Sequence, residues 1–184
     1  NNNFIRVIEK KRNFKIEDAT QINHSAELFP EVRDAYKRIL QVVPHLYNQT
    51  VLLAGINDTP EELISLCDDI RYLGIENHYL FNCVPIGGLK SFRISLSKGL
   101  ILALHVSQSG LISGRAKPKF AIMTGIGKIT LYEGSIIERK ENRYFLRSEY
   151  LYSERLKWNP SFVLPPNASV DSAGFMCIWY EDTV

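Results

Sequence analysis

The sequence predicts an α/β protein: a partial (βα) barrel of parallel strands with crossover helices, followed by a hairpin-rich carboxyl-terminal extension. Three observations predict it. Strand-type and helix-type segments alternate through the first 123 residues, the connections between them are short, and beyond Lys128 the alternation gives way to strand–turn–strand repeats. Strands separated by helical segments imply parallel pairing through right-handed crossovers.

In chain order, "FKIEDATQIN" (14–23) alternates apolar and polar residues and reads as a first strand. In "PEVRDAYKRILQVV", Val32, Ala35, Tyr36, Ile39 and Val43 recur at helical spacing between Pro30 and Pro44. "QTVLLAGIND" is strand then turn. "TPEELISLCDDIRYLGI" carries a capping-box start, with Thr59 as N-cap, Pro60 at the first helical position and Glu62 three residues after the cap, and Gly74 ends it. "NHYLFNC" (77–83) is a third strand, "SLSKGLILALHVSQ" (95–108) a third helix capped by Ser95 or Ser97, and "PKFAIM" (118–123) a fourth strand. The rest reads as hairpins, with "KEN" turning between "SIIER" and "RYFLR", before a Pro- and Asn-containing tail without a clear pattern. Two units are expected: residues 1–131 as part of a barrel, and 132–184 as a β-rich extension packed on it.

Composition excludes several classes of function. With 184 residues, 45% apolar residues and a net charge of +2, the chain is an ordinary globular sequence with no basic stripe for nucleic acid. Its longest apolar stretch, "LSKGLILALHVSQSGLI", is too interrupted to cross a bilayer, and "NNNFIRVIEKKRN" is no signal peptide. Neither nucleic acid nor membrane is expected as a partner. Cys67, Cys83 and Cys177 lack disulfide or metal-site spacing, so no metal ligands are assigned and a reducing, cytoplasmic setting is expected.

Ligands of such folds gather at the carboxyl ends of the strands. This selects Asn23 and His24, Ala54 to Asp58, Cys83 to Arg93, and Thr124 to Lys128. Lys128, behind Gly125 and Gly127, is either an exposed turn lysine or an amine held for covalent chemistry, since glycines let the backbone approach a ligand closely.

These stretches resemble one family. "QINHSAELFPE" is similar to its H-F-N-H-P-x-E-x-T-P-E segment, "NQTVLLAGIND" to N-Q-T-V-L-L-x-G-x-N-D, and "YLFNCVPIGGLKSFRISLSKGL" to Y-x-C-D-x-x-x-G-x-x-H-F-R-x-x-x-x-K-G. "SGRAKPKF" and "GIGKITL" resemble S-G-x-x-x-P-x-F and G-G-G-G-K-x-P-L. The family is that of lysine 2,3-aminomutase, radical S-adenosylmethionine enzymes that also use pyridoxal phosphate, and the resemblance covers about residues 16 to 150. It implies that Lys128 carries pyridoxal phosphate covalently, with Gly125 and Gly127 beside it. It further implies that Gln49, Asn23 and His24 line the S-adenosylmethionine cavity and that Ser113 belongs to a cofactor-facing loop. An amino-acid-like small molecule is the implied substrate. On the residues alone, Asn23 and His24 also read as a strand-end pair capping the next helix, and Ser113 as part of a tight turn.

Three departures qualify the expectation. The C-x3-C-x2-C triplet that holds the family's [4Fe–4S] cluster is absent, so the chain reads as the carboxyl-terminal portion of a longer enzyme and the isolated chain is expected to be inactive. The two aspartates that grip the ammonium of lysine in the family are replaced by Val84 and Met123, which argues against free lysine as substrate; Arg93 and Lys90 remain near the same loop. The glycine run, "TGIGK", is also short. Two other readings stand beside the enzyme: a degenerate non-catalytic binding or assembly module, with Tyr150, Tyr152, Trp158, Trp179 and Tyr180 as interface or as core, and an α/β barrel enzyme binding phosphate at Gly125 and Gly127. An uncovered parallel edge invites pairing with a second copy, hence a homo-oligomer.

Overall fold

A computed structural model describes residues 2–11 and 14–182. The architecture is mixed α/β: a curled five-stranded sheet ordered β1-β2-β3-β4-β5 and an antiparallel four-stranded sheet ordered β6-β7-β9-β8. Strands β1 (Glu17–Thr20), β2 (His45–Leu52), β3 (Glu76–Asn82) and β4 (Lys119–Thr124) are parallel and sequential. Helices α2 (Pro30–Leu40), α3 (Pro60–Tyr72) and α4 (Leu96–Gln108) make the crossovers.

Local sequence explains most element ends. The Thr59 hydroxyl accepts from the Glu62 amide and donates to its carboxylate, closing the start of α3. At its end the Ile75 amide reaches back to the Ile70 carbonyl and the Gly74 amide to that of Arg71, with Gly74 at φ +86°. This is the Schellman pattern. Ser95, not Ser97, caps α4. Strand β1 is shorter than its alternating pattern predicts, because buried Asn48 takes over the backbone of Ile22: its Oδ1 accepts from the Ile22 amide at 2.8 Å and its Nδ2 donates to the Ile22 carbonyl at 3.0 Å. An additional helix, α1 (Asn2–Glu9), forms in the polar amino-terminal stretch and half-buries Ile5 and Ile8 one turn apart.

The region after β4 differs from the parallel pattern. Strand β5 (Gly127–Thr130) turns back on β4 as an antiparallel hairpin, so Lys128 stands inside a strand opposite Met123. The hairpin of β6 (Ile136–Lys140) and β7 (Arg143–Leu151) turns at Glu141–Asn142, with Glu141 at φ 47°. The tail, which has no clear pattern in the sequence, is ordered as α5 (Tyr152–Trp158), β8 (Ala168–Val170) and β9 (Phe175–Glu181), and β9 takes an interior place between β7 and β8.

One continuous core joins the two sheets. Leu52, Leu80, Phe120, Ile122 and Ile129 of the first sheet pack with Leu63, Leu96 and Leu102 of the helices and with Leu146, Met176 and Ile178 of the second. A second cluster, Ile22, Leu46, Leu66, Ile70 and Ile75, packs against α2. Strands bury alternate residues, so these core positions leave Tyr47, Gln49, Val51, Tyr79 and Phe81 on the opposite face, where each is only half-buried. The tail aromatics divide. Tyr180 is in the core, Tyr150 and Tyr152 pack against it, Trp179 lies 5.0 Å from the Phe145 ring, and Trp158 is 87% exposed.

Candidate active site

The open face of the first sheet brings several of the selected residues together. Gln49 is in register with Tyr79, Tyr79 with Lys119, and Met123 with Lys128, so these side chains share one side of neighbouring strands. The Lys128 ammonium lies 3.8 Å from the centroid of the Tyr79 ring. An aromatic face at that distance attracts a cation and offers no hydrogen-bond acceptor. The amine is therefore held in place without being neutralised by a carboxylate.

Tyr79 continues an aromatic row. Its ring meets His78 at 4.0 Å and Phe81 at 5.2 Å, and His78 meets Tyr47 at 5.4 Å. Burial pushes the His78 imidazole below its usual range, and the positive charges of Lys128 and Lys119 push in the same direction against a weaker pull from Glu76. His78 thus favours its neutral form beside the lysine.

A cleft of about 450 Å³ opens past the carboxyl ends of β3 and β4. Val84, Pro85, Ile86, Met123, Thr124 and Gly125 line one side, and Asn167, Ile178, Trp179, Tyr180 and Glu181 of the tail the other. The structure thereby brings Val84, Met123 and Gly125 together, and Met123 links the cleft to Lys128 through their cross-strand pairing. Among the described residues no lysine, arginine or histidine lines the cleft; Glu181, at its edge, is exposed.

Asn23, His24, Ser113, Lys90 and Arg93 do not line this cleft. Asn23 and His24 have structural partners: the Asn23 Oδ1 accepts from the Val51 amide of β2 at 2.8 Å, and the His24 Nδ1 accepts from the Ala26 amide at 3.0 Å as the cap of a short 3₁₀ turn. Ser113 is exposed in the loop between α4 and β4, at the amino end of β4, opposite the end where the cleft opens. Lys90 is exposed on a 3₁₀ turn, whereas Arg93 is buried and donates to the Glu181 carbonyl at 3.4 Å. Gly125 and Gly127 are closed by the tail: a Cβ on Gly125 would lie 3.0 Å from Pro165, and one on Gly127 3.1 Å from both Tyr150 and the Arg155 guanidinium.

Tyr79 and the tail residues Arg155 and Pro165 escape the sequence reading, and Tyr150 is named there only as interface or core. For Tyr79 a signal exists, since Tyr79 and Phe81 are alternate residues of one strand. For the tail there is none, because its strands pair with partners remote in sequence.

The chain fits the implied groups unequally. Lys128, half-buried on an open face, fits covalent attachment of pyridoxal phosphate, and Gln49 and Tyr79 lie on the same face of the sheet. The iron–sulfur cluster does not fit these residues. Cys67, Cys83 and Cys177 are each buried in separate segments, and no group of three His, Cys, Asp or Glu side chains among the described residues could hold a metal. No described helix is long and apolar enough to cross a membrane.

Comparison with known proteins agrees with the motifs. No protein-family model matches the chain. A provisionally assigned L-lysine 2,3-aminomutase of Aquifex aeolicus is 32% identical over 150 residues, 80% of this chain and 40% of that protein. The L-lysine 2,3-aminomutase of Fusobacterium nucleatum is 32% identical over 131 residues, 70% of this chain and 30% of its own. The chain belongs to the lysine 2,3-aminomutase family. A glutamate 2,3-aminomutase of Clostridioides difficile is also similar, 27% identical over 131 residues, 70% of this chain and 31% of that relative. The chain thus spans 30 to 40% of the length of these relatives.

Proposed function

We propose that this chain is the carboxyl-terminal portion of a radical S-adenosylmethionine aminomutase-like enzyme, a partial (βα) barrel that moves an amino group on an amino acid with an uncharged side chain. The observation that carries the reading is the Lys128 amine, held over the Tyr79 ring on the open face of the sheet and paired with Met123 at the edge of an apolar cleft. Pyridoxal phosphate, when bound at that amine, supplies an electron sink on the substrate nitrogen. The chain's own residues do the rest. Lys128 presents the amine, Tyr79 walls one side of it, neutral His78 avoids adding a third positive charge, and the cleft receives the substrate side chain.

Substrate class follows from the cleft's walls. Lysine would bring its ammonium to Val84 and Met123, which cannot pair it, and glutamate would bring its carboxylate toward Glu181 with no cation in the lining to offset it. Burying either charge unpaired costs several kcal/mol, roughly what a methylene-rich neutral side chain gains by burial. Relatives named for lysine and for glutamate support a reading in which the side chain accepted varies among these proteins.

A non-catalytic module of the same fold is the second reading, and the closure of the tail over Gly125 and Gly127 favours it. Incubation with pyridoxal phosphate, borohydride reduction and peptide mass spectrometry separate the two. The enzyme reading expects one reduced adduct, on Lys128, lost in Lys128→Ala without gain elsewhere; labelling spread over the surface lysines contradicts it.

A further inference from the structure

The backbone of the turn from Thr124 to Gly127 sets the direction in which Lys128 leaves β5. Inside the hairpin, the Thr124 hydroxyl donates to the Gly127 carbonyl at 2.7 Å and accepts from the Ile126 amide at 3.3 Å. From outside, the tail grips the same turn. The Arg155 guanidinium, on α5, donates from Nη2 to the Ile126 carbonyl at 2.8 Å. The same group stands where a Gly127 side chain would begin, together with the Tyr150 ring. The guanidinium is itself fixed between two aromatic rings, its central carbon 5.6 Å from the Tyr150 centroid and 5.1 Å from that of Phe162. Arg155 lies beyond all five segments that carry the family resemblance.

We propose that Arg155 is a positioning residue for Lys128. Through the Ile126 carbonyl it locks the glycine turn, and so fixes where the lysine amine enters the open face of the sheet. A hydrogen bond from a charged donor to a carbonyl is about twice as strong as a neutral one. Its planar fork, within cation–π range of two rings, is also more pre-organised toward the turn than a flexible lysine would be. The inference rests on Lys128 being the reactive amine of the proposed site, but its physical consequence is measurable without a cofactor.

The test is competitive acetylation of the whole chain with trace acetic anhydride, reading every lysine by peptide mass spectrometry, in the unmodified chain and in Arg155→Met and Arg155→Lys. Lys119, on the same face, is the internal reference. Arg155→Met is expected to change Lys128 reactivity relative to Lys119 by at least about three-fold, and to speed amide exchange at Gly127 and Lys128 by about five-fold, the loss of one modest hydrogen bond. Arg155→Lys, which keeps one charged donor, is expected to recover more than half of both changes. Unchanged Lys128 reactivity in Arg155→Met, or equal changes at Lys119 and Lys128, overturns the proposal. If Arg155→Met does not fold, Arg155→Gln is read by the same criteria. Absence of a pyridoxal phosphate adduct on Lys128 in the unmodified chain would count against the aminomutase-like reading alone, because the acetylation comparison uses no cofactor.

Discussion

Replacing Gly127 by alanine tests the physical description of the lysine-bearing turn. Gly127 has φ +120°, a conformation that side-chain-bearing residues rarely adopt, and an added Cβ would lie 3.1 Å from both the Tyr150 ring and the Arg155 guanidinium. Backbone strain of this kind costs about 1–3 kcal/mol. Forcing an extra carbon between packed groups costs about 1–3 kcal/mol more. Against this, alanine restricts the unfolded chain and returns about 0.4–1 kcal/mol. The balance is a destabilisation of about 3 kcal/mol, which in a chain of this size lowers Tm by roughly 6–12 °C. Urea denaturation followed by tryptophan fluorescence, with a thermal melt, measures it. An alanine variant as stable as the unmodified chain, or more stable, would refute the assigned turn geometry and the grip of the tail upon it.

Three further outcomes follow from buried and charged groups. Asn48→Leu removes the partner of the buried Ile22 amide, while the Ile22 carbonyl keeps the Thr50 hydroxyl as donor, and should cost about 1–3 kcal/mol by urea denaturation, although the side chain is similar in volume. The three thiols are all buried and shifted upward by burial, that of Cys67 to about 12, so the native chain should react slowly with a disulfide reagent at pH 8 and the unfolded chain with three equivalents. The Asp171 carboxylate accepts from the Arg147 side chain at 2.6 Å and from the Ala173 and Phe175 amides, and the Arg147 bond is the foremost cause of its lowered pKa. Its contribution is complete above the unfolded value of about 3.9 and is lost as pH falls through the lower folded value. Melts recorded from pH 6 to 2 should therefore fall more steeply for the unmodified chain than for Asp171→Asn, and parallel curves would count against the ion pair.

The parts of this fold legible in the sequence are those written in local chemistry. Thr59, Pro60, Glu62 and Gly74 announce α3 within a few residues, and the alternation of strands and helices gives the parallel order of β1 to β4. What is illegible depends on remote pairing. Strand β9 finds its place only by bonding to β7, and nothing between Trp158 and Gly174 advertises it. The site divides in the same way. Motif order singles out Lys128, Val84 and Met123, but the contact between Lys128 and Tyr79 exists only once β3, β4 and β5 are in register. The two glycines illustrate the limit. In the sequence they suggest room for a ligand, whereas in the structure Pro165, Tyr150 and Arg155 occupy the outer side of that turn. Asn23 and His24, similarly, have their side chains engaged, Asn23 by the β2 backbone and His24 in the turn after β1.

The most direct test of the central claim is to trap pyridoxal phosphate on the chain with borohydride in the presence of norleucine, lysine or glutamate and to quantify the adduct at Lys128. The account predicts a single adduct on Lys128 that norleucine suppresses at lower concentration than either charged amino acid, because only an uncharged side chain suits a cleft walled by Val84, Met123 and Ile178. An adduct distributed over several lysines, or suppression that is the same for all three amino acids, would contradict it.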